Sequence, residues 1–542
     1  YSSSHQPTIE RQGERGATCK LEFSNVSAAS DFRLYFNASS DPVGLSLLGY
    51  KPVANEDGYF LLLANPEVKP SDTKPLDKTI LFVVDRSGSM SGEKIVQARE
   101  ALKFVLQRLN PGDLFNIIDY SDEVASFRPE LLQANAQNIS EGVAYADRLR
   151  AGGSTNIDGA LQTGLKMLAQ GSQPQYVLFF TDGLPTSGER NELKIAERAR
   201  QSNVKNARLF NFGVGYDVNS RLLDRLSRDN RGISVYIRPN ENLETVVSSF
   251  FNRIGEPQLT DLQIVLSLPG SSESIALQSY PRNLPDLFAG EQLVWVGRYN
   301  KGGDVQVTLN GKSGSNQQTY SLQAKLPTDA ADSSTSFIEK LWATRRIGEI
   351  IDQLDLNGKN QELIDEMVQL SMKHGIMTPY TSFLAREDVS LANRASNLER
   401  ASQESEQLSI SGGEAGFAQR AFKSSLQNSQ NVPAVSSPSL GRFGASLPGL
   451  GSVGDTSSED KKKERETLRQ IQAKTFFLKQ NRWYDSHLKE GDEKNAKQIR
   501  QYSDEWFDLA AKNSGEYAPL LAQSGELVLE LGDVTYHILP AE

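Results

Sequence analysis

The run Thr79-Ile80-Leu81-Phe82-Val83-Val84-Asp85 fixes more of this chain's architecture than any other segment. Seven residues with almost no polar interruption read as a strand buried on both faces, the signature of a parallel sheet rather than a half-exposed antiparallel one. It runs straight into Arg86-Ser87-Gly88-Ser89-Met90, an Asp-x-Ser-x-Ser loop. In an open parallel sheet, ligands sit in the crevice beyond the carboxyl ends of the strands. The loop therefore offers one carboxylate and two hydroxyls where a site belongs. Hard oxygen donors of low total charge suit Mg²⁺, which keeps several waters, with Mn²⁺ or Ca²⁺ as other hard cations. Serine and aspartate in such loops also cap helices, and Ser89 stands near the helix expected from Glu93.

Two further segments arrive where the same topology places them. Gly152-Gly153-Ser154-Thr155-Asn156-Ile157 reads as a Gly-rich loop opening a helix, with the Thr155 hydroxyl free to reach a ligand. Tyr176-Val177-Leu178-Phe179-Phe180-Thr181-Asp182-Gly183 is a second buried strand ending in a carboxylate. With Asp85, Ser87, Ser89, Thr155 and Asp182 in this order, the chain resembles the von Willebrand factor A domain with its metal-ion-dependent adhesion site. In that family the serines and threonine contact the metal, the aspartates act largely through water or hydrogen bonds, and a partner's carboxylate completes the shell. The resemblance implies those roles for these five residues.

Around the site the pattern alternates. Ile95, Ala98, Leu102, Val105 and Leu109 share one helical face, and Pro111-Gly112 stops that helix before a strand over 113–120. Residues 124–127 fit an antiparallel edge strand. Helices over 157–169, 190–203, 219–228 and 241–254 and strands over 176–181, 208–214 and 233–237 complete a doubly wound domain spanning 77–255.

Short alternating segments flank it. Those at 17–24, 31–37, 44–50 and 57–64, and those at 258–268, 273–279, 291–299, 304–309 and 318–325, suggest one β-sandwich split between residues 1–76 and 256–330, interrupted by the α/β domain. The run from Tyr280-Pro281 to Leu293-Val294 resembles the stretch after the A domain in inter-α-trypsin inhibitor heavy chains and their bacterial relatives. Those proteins carry a VIT domain ahead of the sandwich, and the chain starts too late for a full one. The heavy chains' attachment to hyaluronan depends on a C-terminal Asp-Pro context. The single Asp-Pro here, Asp41-Pro42, stands elsewhere, so that chemistry is not carried over.

Beyond 330, residues 331–390 read as two helices followed by Gly375-Ile376-Met377-Thr378-Pro379-Tyr380-Thr381-Ser382-Phe383-Leu384, taken as an extended segment packing on the sandwich. Ser, Gly, Gln and Asn dominate 391–465, which reads as a linker with room for a short helix near 413–427. A small α+β module follows over 466–542, with strands at 475–478 and 482–484, a helix over 494–512 and a hairpin at 526–538; the expectation for it is docking or capping.

Composition closes off several functions. A net charge of −10 over 542 residues, with no sizeable basic cluster, argues against nucleic-acid binding. No apolar run reaches the length of a membrane span. Cys19 stands alone and reads as a small buried hydrophobe, and His5, His374, His487 and His537 form no motif. The metal loop lacks the His ligands and general base of a metal hydrolase. The expected class is a non-enzymatic binding protein whose Mg²⁺ captures an Asp or Glu of a protein partner. The alternative is an intracellular A-domain adaptor working with a ring ATPase, which a signal peptide in the full gene would rule out. A removed signal peptide would account for a chain opening on Tyr1 and place the protein outside the cell, on its surface or in a periplasm; a trimmed product would explain Tyr1 equally.

Overall fold

The computed structural model describes residues 8–11, 16–20, 34, 43–66, 76–168, 173–254, 257–288, 291–314, 316–330, 333–386, 388–430, 467–471, 474–489, 491–512, 517–523, 525–532 and 534–541. The apolar strands assemble into a central sheet in the order Ser234–Ile237, Arg208–Val214, Gln175–Thr181, Thr79–Asp85, Leu114–Tyr120, Val124–Ser126. The first five run parallel and the last pairs antiparallel, making the short edge strand the sequence implies. Every residue of Thr79–Asp85, Gln175–Thr181 and Arg208–Val214 is buried, because helices cover both faces. On one face Glu93–Leu106 and Leu243–Ile254 bury Ile95, Leu102, Val247 and Phe250 against Ile80, Phe82 and Val84. On the other, Ile157–Leu168, Glu192–Ser202 and Ser220–Asp229 bury Leu161, Ile195 and Leu223 against Leu81, Val83 and Val177. Alternate side chains of one strand thus feed two separate cores, which is why residues 80–84 are apolar without interruption.

This domain is inserted in a β-sandwich. Gly58–Pro66, from before it, pairs antiparallel with Leu293–Tyr299, from after it, in the register Gly58↔Tyr299 to Ala64↔Leu293. With Val43–Tyr50 and Ala276–Tyr280 these strands make one sheet; Leu287–Phe288, Pro257–Ser267, Gly303–Ser313 and Asn316–Leu326 make the other. Phe60, Leu62, Leu266, Trp295, Val307 and Leu309 fill the space between them. The odd-numbered neighbours Tyr59, Leu61 and Leu63 point the other way, into a second core with Leu341, Ile350, Met367 and Tyr380. The first sheet is therefore sandwiched itself, between the second sheet and a helical layer of Phe337–Asn357 and Gln361–His374.

Several expectations need correction. Ala17–Lys20 does not enter the sandwich: it pairs with Thr8–Arg11 in a separate two-stranded sheet. The 31–37 segment lies outside the described residues apart from Leu34. The 375–385 run is not extended; it turns tightly and ends in a short 3₁₀ helix, Ser382–Ala385, with Thr378 and Thr381 closing the turn by a hydroxyl contact of 2.9 Å. The first part of the expected linker is folded. Arg394–Glu404 and Gly413–Gln427 are helices with buried faces, the second of which the sequence allowed for; 431–466 lies outside the described residues.

In the C-terminal module, Lys497–Arg500 is a strand parallel to Val534–Leu539, and helix begins only at Asp504. Ile499 is thus buried from a strand, not from a helix. The module docks by Thr475 Oγ1 donating to the Lys373 carbonyl (2.8 Å) and Lys479 Nζ donating to the Leu384 carbonyl (2.6 Å). Cys19 is half-buried rather than buried. No helix among the described residues is long and apolar enough to cross a membrane.

Candidate metal centre

Thr79–Asp85 and Gln175–Thr181 are adjacent parallel strands in the register Val84↔Phe180, so their carboxyl ends deliver Asp85 and Asp182 to one rim. The loop after Asp85 is then pinned. Gly88 N donates to the Gly153 carbonyl (2.9 Å), and Gly152 N donates to the Arg86 carbonyl (2.7 Å), clamping the Asp-x-Ser-x-Ser loop to the Gly-rich loop. Gly153 sits at φ +85°, a left-handed conformation that favours glycine. Thr155 is held by its own main chain: its N–H donates to Thr186 Oγ1 (2.9 Å), and its carbonyl accepts from Thr186 N and Ser187 N.

The oxygens converge. Ser87 Oγ and Ser89 Oγ lie 3.1 Å apart, and Ser89 Oγ donates to Asp182 Oδ1 at 2.7 Å. A Cβ placed on Gly183 would stand 3.5 Å from Ser89 Oγ and 3.6 Å from Thr155 Oγ1. The third hydroxyl therefore flanks the same space, which glycine at 183 leaves open. Four of the five residues singled out by sequence line this space. Asp85 stands behind it, fully buried, with both oxygens committed: Oδ1 accepts from Ser87 N (2.8 Å), and Oδ2 accepts from Thr181 Oγ1 (2.7 Å) and Tyr120 OH (3.3 Å). Burial raises the Asp85 carboxyl above its usual range, against the pull of the Thr181 and Ser87 hydrogen bonds. Asp85 is thus the buried brace of that loop.

Sequence reasoning misses Thr181 and Tyr120, which anchor Asp85, because both lie inside strands that periodicity reads only as core. It also misses Lys94, whose Nζ donates to Asp182 Oδ2 at 2.6 Å. Nothing in the sequence separates Lys94 from any other lysine in a first helical turn.

Three hydroxyls and the Asp182 carboxylate are a hard, oxygen-only donor set, fitted to Mg²⁺ or Mn²⁺ and poorly to softer ions. Among the described residues no group of three or more His, Cys, Asp or Glu side chains could hold a metal, so the hydroxyl-rich rim is the candidate centre. Were a cation held there, Ser87, Ser89 and Thr155 would supply neutral oxygens, Asp182 a charge, and Asp85 the orientation of the loop.

A family model for the von Willebrand factor type A domain matches residues 79–249. The chain carries a von Willebrand factor type A domain. It is also related to inter-α-trypsin inhibitor heavy chains. It is 30% identical over 347 residues to human inter-alpha-trypsin inhibitor heavy chain H4, covering 61% of this chain and 36% of that protein. It is 30% identical over 352 residues to mouse heavy chain H2, covering 61% and 36%. The match thus spans little more than a third of the length of these relatives. Among solved structures, von Willebrand factor type A from Catenulispora acidiphila superposes with a TM-score of 0.45 at 17% identity, covering 63% of this chain and 89% of that one.

Proposed function

We propose that this is a non-enzymatic, metal-dependent protein-binding protein. Its A domain holds Mg²⁺ through Ser87, Ser89, Thr155 and Asp182, with Asp85 bracing the loop, and captures an Asp or Glu side chain of a protein partner. The observation that carries this is the line of contacts from Ser87 Oγ to Ser89 Oγ (3.1 Å) and on to Asp182 Oδ1 (2.7 Å), at the carboxyl rim of the sheet. Three of the donors are neutral, so the protein leaves a divalent cation incompletely neutralised and open to an anionic oxygen. The kinship with heavy chains supports a partner-binding role over catalysis. The proposal includes a location outside the cell, on its surface or in a periplasm.

Calorimetric titration of Mg²⁺ into the wild type and the Ser89→Ala variant tests the reading. Saturable uptake by the wild type, weakened at least tenfold in the variant, is the expected result. A wild type that takes up no Mg²⁺, or a variant that binds it equally well, would remove the metal from this rim.

A further inference from the structure

Lys94 occupies an unfavourable place for a cation. It is the second residue of the Glu93–Leu106 helix, where the helix dipole presents partial positive charge and disfavours ammonium groups. It nevertheless turns to Asp182, whose side chain is fully buried, while its own is 31% exposed. The pairing accounts for both carboxylate oxygens of Asp182: Oδ1 accepts from Ser89 Oγ and Oδ2 accepts from Lys94 Nζ. A third element makes room for it. Gly215, just past the Arg208–Val214 strand, adopts φ +81°, and a Cβ there would stand 3.6 Å from Nζ and 3.7 Å from Cε. The ammonium is thus seated between two strand ends rather than left in solvent.

We propose that Lys94 is a resident counter-cation that sets the charge of the metal centre. Resting on the metal reading above, the inference adds a positioning residue that tunes what the site binds. The charge count makes the case. Ser87, Ser89 and Thr155 contribute none and Asp182 one negative charge, so these four donors leave a divalent cation one charge short of neutrality, which only the buried Asp85 behind them offsets. Lys94 adds one positive charge beside Asp182, so the loaded site carries a surplus that only an external anion can satisfy. Lys94 thereby weakens the hold on the metal and strengthens the demand for an acidic ligand. Removing its charge does the reverse: it relieves repulsion between two cations sharing one carboxylate and frees Asp182 Oδ2 for the metal.

The test compares the wild type with Lys94→Met and Lys94→Arg by calorimetric titration of Mg²⁺ alone, with melting temperatures read in chelator and in excess Mg²⁺. K94M should bind Mg²⁺ about tenfold tighter than the wild type, as expected when a unit charge is removed within a few ångströms of a partly buried divalent site. K94R, which keeps the charge, should stay within a few-fold of the wild type. K94M should also gain more in melting temperature from Mg²⁺, because its buried Asp182 has lost its counter-charge. Equal or weaker Mg²⁺ affinity in a folded K94M would overturn the inference while leaving the metal reading standing. If K94M does not fold, Lys94→Gln, whose amide still donates to Asp182, carries the same comparison. A wild type that takes up no Mg²⁺ overturns the metal reading, and this inference with it.

Discussion

At the scale of single residues, Asp85 and Thr155 divide the site's stability from its binding. Asp85 accepts from three groups that are themselves buried, Ser87 N, Thr181 Oγ1 and Tyr120 OH. Truncation to alanine orphans all three, and each buried donor left unpaired costs about 1–3 kcal/mol. Asp85→Ala is therefore expected to lower the melting temperature sharply in chelator, where no metal contributes, and Asp85→Asn to lower it less. Thr155 differs, for its main chain is tied to Thr186 and Ser187 while its hydroxyl faces the rim. Thr155→Ala should leave the melting temperature in chelator within about 1 °C and weaken Mg²⁺ at least tenfold, with Thr155→Ser restoring it; unchanged affinity would exclude the hydroxyl as a ligand. The four rim residues and Asp85 are legible in sequence because they lie in the short segments where a strand gives way to a helix, where composition and periodicity change together. Thr181, Tyr120 and Lys94 are not, since their roles depend on which strands are neighbours.

At the scale of elements, the sequence fails where a helix buries charge beside its apolar residues. Gly413–Gln427 sits in a stretch rich in Ser, Gly and Gln and looks unable to hold a core. Yet Arg420 and Lys423 are buried in it, Arg420 pairing with Asp355 (2.7 Å) and Lys423 with Asp224 (2.6 Å), Asp352 (2.8 Å) and Asp355 (3.1 Å). Phe417 adds edge-on contacts to Tyr216 and Tyr236, and Gly413 N donates to the Tyr216 carbonyl (2.7 Å), so this helix joins the A domain to Phe337–Asn357. Its charge pattern reads as solvated only while the partner carboxylates, some seventy to two hundred residues away, are unknown. Lys423→Ala removes the cation that three carboxylates share, leaving Asp355 to Arg420 and Asp352 to Arg228, and should cost about 3 kcal/mol, the lower end of the penalty for breaking a buried ion pair. Chemical denaturation would measure it, and a cost under 1 kcal/mol would mean the cluster is solvated after all.

In the neighbouring helix, burial alone lowers the Lys340 ammonium to about 8. The unfolded chain holds that proton up to about 10.4, so between these values it binds a proton the fold lacks, and stability rises with pH across that window. Lys340→Met should flatten the rise. A wild-type stability curve that falls between pH 8 and 10 would contradict the assignment.

At the scale of the whole molecule, the question is which parts can stand alone. The insertion itself was legible, because neither flank holds enough strands for a sandwich of its own. Pairing of Gly58–Pro66 with Leu293–Tyr299 shows the sandwich closing across the inserted domain. The domain's two ends meet, with Lys78 Nζ 5.9 Å from the Phe251 ring near the end of its last helix. What sequence could not reveal is that the first sheet has no free face. Tyr59, Leu61, Leu63, Val294 and Val296 point into the helical layer. A fragment ending at residue 326 would expose them all, and at about 2 kcal/mol per apolar side chain that approaches 10 kcal/mol, the scale of an entire domain's stability. Excision of 77–255 with a short Gly/Ser bridge is therefore expected to fail in the isolated 17–326 fragment. It should succeed in the full chain, where the helices remain. Even there it removes the partners of Asp286, which accepts from Arg208 at 2.5 Å and Tyr176 at 3.3 Å, so the excised protein should be less stable than the parent and gain from Asp286→Asn. Circular dichroism and size exclusion would decide between these outcomes. A well-folded, monomeric 17–326 fragment would show that the helical layer is a passenger on the sandwich rather than its second core.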